Sequence, residues 1–147
     1  MKKLPQQIIE KISDFEIESD ISLPGFALEK DYFVLEVIKL IQGLPLSQDF
    51  RLVFCGGTCL SKAYGILQRM SEDIDFKIVP SELSAKLPKS ALRRKISDFV
   101  KNVMSTLESG GFDKSSITRR SLDSNSYTRL DIEYESAFSK PSSLRPH

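Results

Sequence analysis

Residues 56–62 read Gly-Gly-Thr-Cys-Leu-Ser-Lys, and residues 73–76 read Asp-Ile-Asp-Phe. The apolar run at 51–55 predicts a short buried strand before the glycines, and the spacing of apolar residues from Leu60 onward predicts a helix after them. Glycines at a strand-to-helix turn let the backbone approach a ligand closely, and the free N–H groups of the first helical turn attract anions. The first stretch therefore predicts a phosphate-binding turn, with an ordinary structural turn as the alternative.

Four residues of this turn have candidate roles. Gly56 and Gly57 are expected to bring the backbone close to a phosphate, with Gly57 in the tight part of the turn. Thr58 offers a hydroxyl donor. Lys62 lies four residues further on the same helical face, so its charge is available to a phosphate or to a carboxylate of its own chain.

The second stretch carries two carboxylates. The alternation from Asp73 to Val79 predicts a strand with Asp73 and Asp75 on one face and the apolar residues on the other. Like charges at one strand end repel each other unless a cation lies between them, and Mg²⁺ is typically held by one or two carboxylates together with substrate phosphates. A half-exposed strand with no ligand is the alternative reading.

The order strand, Gly-Gly-Thr, helix and Asp-x-Asp strand resembles the core of the DNA polymerase β-like nucleotidyltransferase superfamily. Residues 56–65, Gly-Gly-Thr-x-Leu-Ser-Lys-Ala-Tyr-Gly, and residues 69–76, Arg-x-Ser-Glu-Asp-Ile-Asp-Phe, resemble more narrowly the AbiEii/AbiGii toxin family. The Glu-Lys-Asp-aromatic segment at 29–32 resembles the helix that usually precedes this core. The resemblance covers residues 26–80 well and the remainder loosely.

The resemblance implies roles for matched residues. Gly56, Gly57 and Thr58 match the nucleotide-phosphate loop and Lys62 matches the lysine of the following helix. Asp73 and Asp75 match the paired ligands of Mg²⁺ or Mn²⁺. Arg69 and Ser71 lie in the matched stretch without an assigned role.

A third carboxylate is expected on a later strand in such enzymes, and its identity stays open. Asp131 and Glu133 are the candidates in the amphipathic strand 127–135, although a solvated face is the commoner reading of that alternation. In the family the third carboxylate usually follows a Leu-Arg-Pro segment, which stands here at 144–146. The sequence therefore predicts that the core is incomplete at the C-terminus.

The function implied by the resemblance is Mg²⁺-dependent transfer of a nucleoside monophosphate from a nucleoside triphosphate to an acceptor. The protein would be the toxin of a bacterial abortive-infection or type IV toxin–antitoxin system. The implied partners are a nucleoside triphosphate, tRNA or another RNA as acceptor, and a cognate antitoxin protein. The alternatives are a catalytically incomplete remnant that binds nucleotide or antitoxin, and a kinase-like phosphotransferase.

Composition gives a broad frame for this function. The chain has 147 residues, of which 40% are hydrophobic and 28% charged, with a net charge of +1. This size predicts a single domain at 1–147 with N-terminal helices at 1–45 and the core at 46–147, and the charge does not mark a nucleic-acid binder.

The lone histidine, His147, gives no support to histidine acid–base chemistry. No apolar run approaches membrane-spanning length and no signal peptide is evident, so a cytoplasmic protein is expected.

The predicted fold is α/β of the α+β type, with a small mixed β-sheet flanked by helices. Hydrophobic periodicity predicts helices at 5–15, 26–42 and 87–107, and two strands after the last helix at 112–121 and 126–135. Cys55 and Cys59 flank the glycine turn without companion ligands, which favours neither zinc nor a disulfide.

Overall fold

The computed structural model describes residues 1–18, 23–45, 47–65, 73–122 and 127–138. The predictions that concern Arg69, Ser71, the Leu-Arg-Pro segment at 144–146 and His147 lie outside this description. The elements follow in chain order: β1 (Lys2–Lys3), α1 (Gln6–Glu18), α2 (Gly25–Gln42), β2 (Phe50–Cys55), α3 (Gly56–Lys62), β3 (Asp75–Pro80), α4 (Glu82–Ala85), α5 (Lys89–Ser109), a 3₁₀ helix (Lys114–Ser116), β4 (Ile117–Leu122), β5 (Tyr127–Ile132) and β6 (Tyr134–Glu135).

Helices α1, α2 and α5 contribute to one core together with the chain that follows α5. The three helices predicted from hydrophobic periodicity are confirmed, each within a few residues of its predicted bounds. Helix α2 ends at Gly43, whose N–H donates to the Lys39 carbonyl at 3.1 Å. The buried members of the core are Leu4, Ile12, Phe33, Val37, Val103, Leu107, Phe112 and Ile117.

Six strands form three two-stranded sheets within the described residues: β2 with β3 and β4 with β5, both antiparallel, and β1 with β6, parallel. The α/β class is confirmed. The expectation of one small mixed sheet differs from these separate ladders, because alternation shows which residues form strands but not which strand edges meet. Strand β1, helix α4 and the 3₁₀ helix were not predicted, since each is too short to show a period.

A buried carboxylate joins α2 to the end of the described chain. Glu29 is fully buried, and it accepts hydrogen bonds from the Ser136 hydroxyl and, at 2.8 Å, from the Ala137 N–H. A buried carboxylate without such donors would be strongly destabilising. Glu29 therefore fixes the segment that follows β6 against helix α2.

A second polar cluster ties the start of β2 to α4 and α5. Asp49 accepts from the Ser84 hydroxyl at 2.9 Å and from the Lys95 ammonium at 2.7 Å. The hydrogen bond from Lys95, followed by that from Ser84, lowers the pKa of the Asp49 carboxyl. These contacts lie at the end of β2 opposite the glycine turn.

Among the helices of the described segments, none is both long enough and apolar enough to cross a bilayer.

Candidate nucleotide site

The pairing of β2 with β3 brings the two predicted motifs together. In the antiparallel register Cys55 lies opposite Asp75, and Phe54 lies opposite Phe76. The rings of this phenylalanine pair have centroids 5.3 Å apart, which packs the two strands against each other next to the motifs. The first residue after β2 is therefore adjacent to the first residue of β3.

Gly56 is the point of closest approach between the motifs. Its φ is +75°, a left-handed conformation that favours glycine. A Cβ at this position would lie 2.0 Å from Oδ2 of Asp75, so the Asp75 carboxylate occupies the space that any side chain would need. Sequence reasoning placed the tight part of the turn at Gly57, whereas the structure places it at Gly56 and puts Gly57 inside α3.

Thr58 connects helix α3 to the other aspartate. Its side chain is fully buried, and its hydroxyl donates to the backbone carbonyl of Asp73. Cys55 adds a weaker contact, with its Sγ 3.5 Å from the Asp75 carbonyl. The Thr58 hydroxyl thus holds the Asp-x-Asp segment in place, which is a different role from the phosphate donor expected from sequence.

Asp73 and Asp75 are both exposed and alternate with partly buried Ile74 and Phe76, as the sequence pattern predicts, but β3 begins at Asp75, so Asp73 lies just before the strand that was predicted to include it. Within the described residues neither carboxylate forms an ion pair, whereas Asp31, Asp49 and Asp131 each have a basic partner. Two exposed carboxylates that form no ion pair with the described basic residues offer the oxygen ligands that a hard divalent cation prefers.

Lys62 is the last residue of α3, and its ammonium pairs with Asp31 of helix α2. Both side chains are half-buried, with 29% and 21% of their surface exposed. The sequence suggested two partners for Lys62, a phosphate or a carboxylate of the same chain, and Asp31 is such a carboxylate. Asp31 was not predicted as a site residue. The only signal in the sequence that could have identified it is its position in the Glu-Lys-Asp segment.

The two candidates for a third carboxylate lie in different surroundings. Asp131 accepts from Nε of Arg129 at 2.5 Å and lies 3.4 Å from Nε of Arg120. The hydrogen bond that Arg129 donates to Asp131, together with the negative charge of Asp131, raises the pKa of Arg129, and the charge of Asp73 adds to this shift. Glu133 is exposed, and its backbone N–H donates to the Ser116 carbonyl at 2.8 Å.

Arg129 therefore lies within electrostatic range of both Asp131 and Asp73. Asp131 and Asp73 thus both act electrostatically on Arg129, and Glu133 is not among the groups that shift the pKa of this arginine. In the same part of the chain, no three His, Cys, Asp or Glu side chains converge closely enough to hold a metal together. Asp73 and Asp75 are the exposed carboxylates of this motif that a divalent cation could use as ligands.

Comparison with protein families supports the interpretation of these motifs. A family model described as nucleotidyl transferase AbiEii toxin, type IV toxin–antitoxin system, matches residues 40–147, which include α3, β3 and the β4–β5 hairpin. Searches of curated proteins and of solved structures found no match. Because the family model spans well over half of the chain, this protein belongs to the AbiEii family of nucleotidyl transferase toxins.

Proposed function

We propose that this protein transfers a nucleoside monophosphate from a nucleoside triphosphate to a hydroxyl of an RNA acceptor, with Mg²⁺ or Mn²⁺ bound by Asp73 and Asp75. The observation that carries the proposal is the Asp75 carboxylate lying against Gly56 at the start of α3. A carboxylate for a cation and a backbone turn for phosphates are thus adjacent. Family membership implies a nucleoside triphosphate substrate and a cognate antitoxin.

Each residue of the site has a separate role in this proposal. Asp73 and Asp75 would hold the cation, while the backbone at Gly56 and Gly57 and the Lys62 ammonium would bind the β- and γ-phosphates. When bound, the cation supplies charge stabilisation to the attacking and leaving oxygens. Thr58 keeps the two motifs in register through its bond to the Asp73 carbonyl.

The reaction forms one bond and breaks one bond. The acceptor oxygen bonds to the α-phosphorus as the bond from the α-phosphorus to the α,β-bridging oxygen breaks, and pyrophosphate leaves with the bridging oxygen. The hydroxyl proton passes to a carboxylate or to water. Positioning of the acceptor in line with the leaving group supplies much of the rate, because the protein forms no covalent intermediate.

The transfer itself is tested with nucleoside triphosphates labelled at either the α- or the γ-phosphate, incubated with the protein, Mg²⁺ and total RNA. Label from the α-phosphate in RNA supports nucleotidyl transfer. Label from the γ-phosphate alone would instead show a kinase-like activity. Nucleotide binding without transfer of either label would show a binding protein.

Asp131 is the third carboxylate in this proposal. Arg129 donates to Asp131 and lies within electrostatic range of Asp73, which favours Asp131 over Glu133, and Asp131 would exchange its ion pairs with Arg129 and Arg120 for the cation. We expect Asp131→Asn to reduce transfer by about two to three orders of magnitude, the scale of losing one electrostatic stabiliser of a transition state. Glu133→Gln, a matched loss of one charge two residues away on the chain, should keep near-normal activity.

Initial rates of α-label transfer, measured alongside the melting temperature, distinguish the two variants. A large loss in the Glu133 variant with an active Asp131 variant would reverse the assignment. Full activity in both would place the third ligand outside this strand.

One face of the β4–β5 hairpin supports a nucleic-acid acceptor. Arg120 and Arg129 lie opposite each other, and Leu122 lies opposite Tyr127 two positions along the ladder. Successive strand residues alternate in side, so these four share a face with Asp131. Tyr127 is 56% exposed, and an exposed aromatic ring beside arginines is a platform for an unpaired base and its phosphate.

We therefore expect Tyr127→Ala combined with Arg120→Gln to raise the KM for RNA by about tenfold or more, the scale of losing one base-stacking contact and one phosphate contact. The KM for the nucleotide should stay unchanged. Arg119→Gln is the matched control, because Arg119 points to the opposite face of the same strand. Equal effects of both arginine substitutions would contradict the assignment of this face.

A further inference from the structure

The Asp31–Lys62 ion pair joins two helices that otherwise pack against different elements. Helix α3 packs against β2 and β3, while α2 packs against α1 and α5. The pair is half-buried, so it is screened less than an ion pair at the open surface. It therefore links the helix of the nucleotide site to a helix of the hydrophobic core.

The position of Lys62 on α3 explains why this link concerns the site. Thr58 and Lys62 are four residues apart and share a helical face. The Thr58 hydroxyl binds the Asp73 carbonyl, so this face of α3 is the one that meets the Asp-x-Asp segment. The Lys62 ammonium extends from the same face to Asp31.

Helix α2 is well suited to act as the support for this lysine. Two residues before Asp31, the fully buried Glu29 binds Ser136 and Ala137, and two residues after it Phe33 is buried in the core. Asp31 therefore lies on a helical turn that is fixed by the hydrogen bonds of Glu29 on one side and by the packing of Phe33 on the other. A carboxylate on such a turn has a defined position.

A free lysine side chain samples many rotamers, and ordering it on ligand binding costs entropy. The ammonium has three N–H donors, so it can keep its bond to Asp31 while it donates to a phosphate oxygen. We propose that Asp31 is a positioning residue of the nucleotide site, which holds the Lys62 ammonium in place for the phosphates. This inference rests on the proposed nucleotide-binding function.

A double-mutant cycle of nucleotide binding tests the proposal. We expect Asp31→Asn to weaken binding of Mg²⁺-nucleoside triphosphate, measured by calorimetry, by about tenfold, a coupling typical of residues in direct contact. Lys62→Gln should weaken binding at least as much. In the Lys62→Gln background, Asp31→Asn should change binding no further, because its effect acts only through the lysine. Asp31→Glu, which keeps the charge, should restore part of the affinity.

Asp49→Asn is the matched control, because Asp49 also pairs with a lysine and joins separate elements. Its loss should lower the melting temperature without changing nucleotide affinity. Unchanged or tighter binding in Asp31→Asn would overturn the positioning role, and so would additive effects in the double variant. Failure of the unsubstituted protein to bind nucleotide would instead overturn the proposed function from which the inference starts.

Discussion

Replacing both Asp73 and Asp75 with asparagine is expected to abolish metal-dependent nucleotide binding and to leave the fold intact. Both side chains are exposed, so little packing is lost with their charge, and surface changes of this kind usually alter the free energy of unfolding by about 0.5 kcal/mol or less. Relief of repulsion between the two carboxylates acts in the stabilising direction. Asparagine keeps the shape of the side chain but removes the charge that a hard cation needs.

Calorimetric titration of a nucleoside triphosphate with and without Mg²⁺ measures this effect directly. The Asp14→Asn, Asp98→Asn double variant is the matched control, because it removes the same charge from two exposed aspartates on α1 and α5. That control should bind nucleotide as the unsubstituted protein does. Retained Mg²⁺-dependent binding in the Asp73, Asp75 double variant would contradict the assignment of these two residues as the cation ligands.

Local patterns in the sequence predicted the features of this site that residues close together in the chain determine, namely secondary structure and side-chain exposure. The alternation around Asp73 and Asp75 predicted their exposure, because side-chain direction in a strand follows from the backbone alone. The apolar spacing of α2 and α5 predicted both helices, because a helix buries the residues that recur on one of its faces. The α/β class followed from this order of elements.

Contacts between distant residues were not predictable in the same way. Asp31 and Lys62 lie on separate helices, and the partners of Glu29 lie at the other end of the described chain. A pattern of charges does not show which residues meet across a fold. The same limit applies to the three separate sheets, because strand pairing is decided by tertiary packing.

The glycine turn shows this limit within a single motif. Two adjacent glycines predict a turn, but they do not show which one adopts the positive φ. The register of Cys55 with Asp75 decides this, since it places the Asp75 carboxylate against Gly56. Helix α3 therefore begins at Gly56, and Gly57 lies within it.

Gly56→Ala is consequently expected to be far more damaging than Gly57→Ala. An alanine at φ +75° is strained by about 1–2 kcal/mol, and its Cβ would lie 2.0 Å from the Asp75 carboxylate oxygen. Either the carboxylate or the turn must move, so we expect a loss of about 2 kcal/mol or more in the free energy of unfolding, as for other mutations at strained positions. Nucleotide binding should also fall in the fraction that remains folded, because Asp75 is displaced.

Gly57→Ala is the matched control for stability, because alanine inside a helix is favoured over glycine by up to about 1 kcal/mol. Thermal melting and nucleotide titration of both variants, with Asp75→Ala in each background, separate the two causes of damage. Removing the Asp75 carboxylate should recover part of the stability lost in Gly56→Ala, since the contacts at 2.0 and 2.8 Å disappear while a 3.0 Å contact with the Asp75 Cβ and the strain at positive φ remain. No recovery would mean that the Asp75 carboxylate contributes nothing to the loss, which then comes from backbone strain and the contact with the Asp75 Cβ. If Gly57→Ala proved the more damaging change, the close approach between the turn and Asp75 would have to lie at Gly57.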